Sequence, residues 1–100
     1  MNHLAVVIHP ADNVATAVVD LSAGDCVSFF VGQEVCECRL TESIPLGHKF
    51  ALRALNVGEN VVKYGEAIGS ASAPIAKGEH VHVHNVESRR GRGDRSGDGA

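Results

Sequence analysis

The sequence has no Trp, a single Tyr and three Phe, which excludes a core of stacked aromatics and a large aromatic-lined ligand pocket. Cysteine is scarce and odd in number. Cys26, Cys36 and Cys38 leave one thiol over, and the Cys-x-Cys pair is too close along an extended strand for a structural disulfide. No apolar run approaches the roughly eighteen residues of a membrane span. The start, Met1-Asn2-His3-Leu4, lacks the charged opening and long apolar stretch of a secretory signal. A cytoplasmic protein with no membrane partner is expected. A basic face is missing too: from Met1 to Glu87 five Lys/Arg stand against ten carboxylates, a balance of −5, which argues against nucleic acid as a partner.

What the chain does have is 100 residues, 44% hydrophobic and 21% charged, enough for one folded domain and one core. Val and Ala supply most of its apolar side chains. Ligand pockets usually occupy several hundred cubic ångströms, so a domain of this size and composition is expected to contribute one wall of a site rather than a whole one. The domain is expected over residues 1–87. Residues 88–100 hold four Arg, two Asp and four Gly with one apolar residue, and are read as a disordered basic tail.

A seven-residue phrase recurs four times: an apolar residue, Gly three positions later and an apolar residue three beyond that. The copies are Leu21 to Val27, Ile44 to Phe50, Leu55 to Val61 and Ile75 to Val81, centred on Gly24, Gly47, Gly58 and Gly78. Each Gly suits a turn with positive φ, and each closing residue opens an apolar run, so the phrase reads as turn then strand. The intervals of 23, 11 and 20 residues between these glycines are too unequal for a solenoid. The expected fold class is all-β with little helix. Strands are expected over 4–8, 14–19, 27–31, 34–40, 50–55, 61–64, 67–71 and 80–86. Gly32-Gln33 should form a two-residue type II′ hairpin. Residues 14–21 can also be drawn as two helical turns, but four β-branched residues make a strand at least as good a reading.

Three phrases carry chemistry. In His80-Val81-His82-Val83-His84-Asn85, strand alternation would put three imidazoles on one face and Val81 and Val83 in the core. Same-face neighbours lie roughly 7 Å apart, so two could converge on a divalent iron, manganese or zinc ion only where the strand twists or ends. The plainer reading is an exposed polar face. Gly47-His48-Lys49 offers an imidazole and a cation to a carboxylate, or else is a solvent-facing turn. Lys63-Tyr64-Gly65 is either substrate-facing or a strand edge guarded by charge. The thiols of Cys36 and Cys38 share a face with Leu40 and should pack inward.

Taken together, the phrases His9-Pro10-x-Asp12-Asn13-Val14-Ala15, Ile44 to Leu52, Val61-Val62-Lys63-Tyr64-Gly65-Glu66-x-Ile68-Gly69 and Gly78 to Val86 resemble the SAF domain of the altronate and galactarate dehydratase family. That domain also occurs as a free-standing small subunit. The resemblance covers about residues 4–87 and implies a β-clip fold of short bent strands. It implies a lyase that dehydrates sugar acids, or eliminates sulfite from sulfolactate, with a divalent metal, iron(II) being the expected ion, shared with or held by a large catalytic subunit. This chain would be that enzyme's small subunit, inactive alone, with homo-oligomerisation left open. Carried over by position, the resemblance implies His48 and Lys49 as catalytic residues, Lys63, Tyr64 and Asn85 as substrate-binding residues, and His82 and His84 as metal ligands. The alternative is a non-catalytic SAF-type module that binds carbohydrate or assists assembly.

Overall fold

In the computed structural model, which describes residues 4–88, the four repeated phrases form four copies of one corner. Gly24, Gly47, Gly58 and Gly78 all adopt φ between 83° and 90°, a region open to Gly and costly for other L-residues. At each corner the Gly N–H donates to the carbonyl of a buried residue, respectively Leu40, Ala17, Ala71 and Ala51. The N–H of that same residue donates back to the carbonyl of the residue after the Gly. The opening apolar residues pair off: Leu21 bridges Ile44, and Leu55 bridges Ile75. Corners one and two are thus tied together, as are three and four.

Nine short strands and no helix are present among the described residues. A central antiparallel sheet has the order β1 (Ala5–Val6), β2 (Val14–Ala17), β5 (Lys49–Ala51), β8 (His80–Val81). On it pack the hairpin of β3 (Cys26–Val31) with β4 (Glu34–Arg39), and a three-stranded sheet of β6 (Asn60–Lys63), β7 (Glu66–Ala71) and β9 (Val86–Ser88). Strand alternation gives the central sheet two buried faces. Ala5, Ala15, Ala17 and Phe50 join the first cluster with Phe29, Cys38 and Leu40; Val14, Ala51 and Val81 join the second with Val61, Ala71 and Ile75. Phe50, with no exposed surface, meets Phe29 edge-on at a centroid distance of 6.1 Å. Small side chains on the central sheet let both layers approach it closely.

Both two-residue hairpins have interpretable turns. Val31 pairs Glu34 across Gly32-Gln33, with Gly32 alone at positive φ, as type II′ requires. Lys63 pairs Glu66 across Tyr64-Gly65, where both residues have positive φ (60° and 74°), the type I′ signature. The inward packing expected of the thiols is found, with Cys38 buried beside Leu40 and Cys36 partly buried against the same cluster.

The strand expected over 4–8 shortens to Ala5–Val6, and two other expected strands differ further. The run over 50–55 contracts to Lys49–Ala51, because past Ala51 the ladder keeps only Leu52 N–H to the Asn13 carbonyl while Asn13 N–H goes to Val62, and Leu55 is drawn away to Ile75. The single strand expected over 80–86 is two, β8 and β9, separated by a turn at His82 to Asn85. Val83 sits at its tip, 81% exposed instead of in the core. Asn85 makes the turn: its Oδ1 accepts from His82 N–H and its Nδ2 donates to the His80 carbonyl, at 2% exposure. The basic tail read from the sequence lies outside the described residues beyond Ser88, which closes β9.

Candidate active-site face

Three of the four corners carry an acid directly after the Gly, and the acid is spent locally. Asp25, Glu59 and Glu79 each accept from the backbone N–H three residues earlier, of Ser22, Asn56 and Ala76, at 2.8 to 2.9 Å. The second corner breaks the rule twice. Pro45 stands where that N–H would be, so there is no donor to cap, and His48 stands where the acid would be. Its imidazole is left for other work.

Register decides what it meets. Lys49 pairs Val81 and Phe50 pairs His80, so continuing the β5–β8 ladder by one residue sets His48 opposite His82. Their rings stack at 4.3 Å between centroids. On the diagonal, His48 Nδ1 lies 2.9 Å from His80 Nε2. His84, exposed on the turn, reaches His80 at 5.3 Å between ring centroids. The strand ends at Val81, which is the condition under which neighbouring imidazoles of this stretch can converge.

Burial, followed by the neighbouring imidazoles, holds His80 below the usual histidine range. His82 is lowered as well, by desolvation first and then by His48 and Lys49. Both therefore keep a free lone pair at neutral pH. Half-buried Lys49 is lowered by desolvation and then by the charge of Lys63. A carboxylate arriving between these two cations would relieve both effects. Lys63 Nζ in turn sits 4.8 Å from the centre of the Tyr64 ring, a cation–π contact on an exposed turn. The structure thus gathers His48, Lys49, His82 and His84 at one end of the central sheet, links Lys63 to them through its field on Lys49, and places Tyr64 against Lys63. Asn85 lies beneath, with its amide engaged by backbone.

The residue that sequence reasoning left unassigned is His80. Its signal was the register between β5 and β8, a nonlocal pairing that spacing within either strand does not carry. Nδ1 or Nε2 atoms of His48, His80 and His82 all lie within 4.8 Å of one another, and no other such group of three occurs among the described residues. Neutral imidazoles suit borderline divalent ions, so this donor set fits a divalent metal; His84 lies outside it. Beside the cluster a cavity of about 200 Å³ is lined by Lys49, Val61, Ile68, His82, Val83, Val86 and Ser88. Complete ligand pockets run from roughly 300 to 1,000 Å³, so this one has the size of a partial site. A larger hollow of about 530 Å³ between 10–13 and 52–62 offers only the paired Arg53 and Glu59 and the structurally engaged Asp12 and Asn13 as ionisable or buried polar groups.

A module of short antiparallel strands joined by repeated Gly corners, with an imidazole and lysine cluster at one of them, defines an all-β SAF-like domain. The sequence profile of the altronate/galactarate dehydratase SAF domain matches residues 3–89, and the chain belongs to that family. It is 47% identical over 81 residues to altronate dehydratase of Escherichia coli, covering 81% of this chain but 16% of the relative. It is 39% identical over 88 residues to (2R)-sulfolactate sulfo-lyase subunit alpha of Chromohalobacter salexigens, covering 84% of this chain and 94% of that subunit. Galactarate dehydratase (L-threo-forming) of E. coli is 36% identical over 74 residues, 13% of its length. The chain therefore spans between about an eighth and a sixth of these dehydratases and nearly all of the sulfo-lyase subunit. No helix among the described residues is long and apolar enough to cross a membrane.

Proposed function

We propose that the chain is the small subunit of a carbon–oxygen or carbon–sulfur lyase, completed by a separate large catalytic subunit and acting on a sugar acid or a sulfonated hydroxy acid. One observation carries the reading: a corner that departs from its three siblings delivers His48 to His80 and His82, beside Lys49. Near-complete coverage of a sulfo-lyase alpha subunit supports the small-subunit role.

The residues divide the work by charge and protonation. Lys49 and Lys63 bind the substrate carboxylate, which replaces the repulsion between them with two attractions. Tyr64, held outward on its turn, offers its hydroxyl to the polar end of the substrate. Asn85 fixes the backbone of His80 and His82 and so orients the imidazoles. A base takes the proton α to the carboxylate: His48 or His82 where that imidazole does not hold the metal, and otherwise a group of the large subunit. The C–H electron pair becomes a C=C bond as the β substituent leaves with the electrons of its own bond. A divalent ion, with iron(II) the expected one, would be held by imidazoles of this cluster, shared with the large subunit, and would polarise the carboxylate and hydroxyl.

The test is partner-dependent turnover. The chain is co-expressed with a large subunit of a sulfolactate lyase or altronate dehydratase type, and release of sulfite or of a 2-keto acid is followed with each subunit alone and together. Activity only in the mixture is the expected result. A chain that forms no complex and leaves turnover unchanged belongs to the alternative class, a non-catalytic SAF-type carbohydrate-binding or assembly module.

A further inference from the structure

We propose that His48, His80 and His82 form a metal site complete enough to load a borderline divalent cation in this chain alone, before any large subunit joins, with His80 as the third ligand and His84 dispensable. The use made of the ion rests on the lyase reading; its binding rests on geometry. Ligand nitrogens about 2.1 Å from one ion lie about 3.0 Å apart at a right angle and about 3.4 Å apart at the tetrahedral angle, and the His48 Nδ1 to His80 Nε2 separation is 2.9 Å. His82 stacks on His48 at 4.3 Å and lies 5.4 Å from the His80 ring, and all three donors fall within 4.8 Å.

Preorganisation is the second support, because each ligand's backbone is pinned by this chain's own groups. His48 N–H donates to Pro45 and its carbonyl accepts from Ala17, which holds the corner closed. His80 N–H donates to Glu42 Oε1, and its carbonyl accepts from Asn85 Nδ2. His82 N–H donates to Asn85 Oδ1. Sites held this way lose little order on loading. Glu42 adds a negative charge beside His80, whereas Lys49 beside His82 opposes a cation. No thiolate or carboxylate joins the three donors, so the set selects Zn²⁺, Co²⁺ or Fe²⁺ over Mg²⁺ and Ca²⁺. Three protein ligands leave coordination positions open toward whatever completes the site.

The isolated full-length chain, stripped of metal, is titrated with Co²⁺ and with Zn²⁺ by visible absorption and calorimetry, with Mg²⁺ as the control. One equivalent of Co²⁺ with a d–d spectrum, competed by Zn²⁺ and not by Mg²⁺, is expected. His48→Gln, His80→Gln and His82→Gln should each weaken binding at least about tenfold, and His84→Gln should leave it unchanged. Circular dichroism confirms that each variant is folded, and the wild-type stoichiometry needs no variant. Absence of binding by the folded wild-type chain overturns the site, as does a His80→Gln variant that binds like wild type or a His84→Gln variant that loses as much. Turnover by the assembled enzyme with no metal bound by the chain alone would overturn this inference and leave the lyase reading intact. Metal loading without partner-dependent turnover would do the reverse.

Discussion

His48 Nδ1 and His80 Nε2 face each other at 2.9 Å across 32 residues of chain. Only one of the two facing nitrogens can carry a proton, so the contact tolerates neutral rings and resists full protonation. Burial and these neighbours lower His80 and His82. Between their lowered values and the ordinary histidine value near 6.5, the unfolded chain holds more protons than the folded one, so stability rises with pH across that window and falls on acidification. The melting temperature should drop between pH 7.5 and 5.5, above the range in which carboxylates titrate. In the His80→Gln/His82→Gln variant the slope should flatten. A flat wild-type profile would contradict the assignment.

The second corner gives a coupling between Pro45 and residue 48. With Pro45 present, His48→Glu gains no hydrogen bond, because there is no N–H to accept from. In a Pro45→Ala background the same change should rebuild the cap used by Asp25, Glu59 and Glu79. The expected gain is about 1 kcal/mol in that background alone. Chemical denaturation of the four proteins of the cycle measures it, and an equal effect of His48→Glu in both backgrounds would remove the explanation for the histidine.

Gly47 and Gly78 share a backbone conformation but not surroundings. A Cβ at Gly47 meets nothing within 4 Å, whereas one at Gly78 would overlap the Arg39 carbonyl oxygen. Gly47→Ala should cost roughly 1–2 kcal/mol from backbone conformation alone. Gly78→Ala should cost clearly more, because the strand carrying Arg39 must move. Thermal melts of the two variants decide the matter, with equal losses as the contrary outcome.

Tyr64 is the one non-glycine residue with positive φ among those described, and it is 58% exposed. Nothing in the packing demands a tyrosine there, and Asn-Gly is the favoured pair for such a turn. Tyr64→Asn should therefore stabilise the chain, by about 1 kcal/mol, while reducing turnover of the assembled enzyme through KM. Strained residues retained at functional sites behave in this way. Loss of stability on Tyr64→Asn would assign the side chain a structural task instead.

Local chemistry made much of the fold legible. The four corners could be read because Gly at positive φ flanked by apolar residues leaves a fixed seven-residue trace, and Gly32-Gln33 could be read because type II′ wants Gly first. The turn at Tyr64-Gly65 could not, since tyrosine is a poor resident of its position and gives no turn signal. His80 to Val86 misled for a related reason: alternation continues through Val83, but the buried Asn85 amide outcompetes the ladder and turns the chain. At the site, residue types pointed to His48, Lys49 and His82, which the fold does bring together. His80 required the register of two strands that begin 31 residues apart. Asp12 and Asn13, prominent in the sequence, tie the segment after β1 to the β6–β7 hairpin through Gly65, Asn60 and Val62.

The most direct measurement is turnover of the assembled lyase with alanine placed singly at His48, Lys49 and His82, with complex formation verified by size-exclusion chromatography. General acid–base groups contribute about 10²–10⁴-fold to rate. A fall of at least about 100-fold is expected for His48→Ala or His82→Ala, whether the lost imidazole serves as base or as metal ligand, and a raised KM for Lys49→Ala, with assembly intact. Undiminished kcat/KM in all three would contradict the assignment of this corner to the active site.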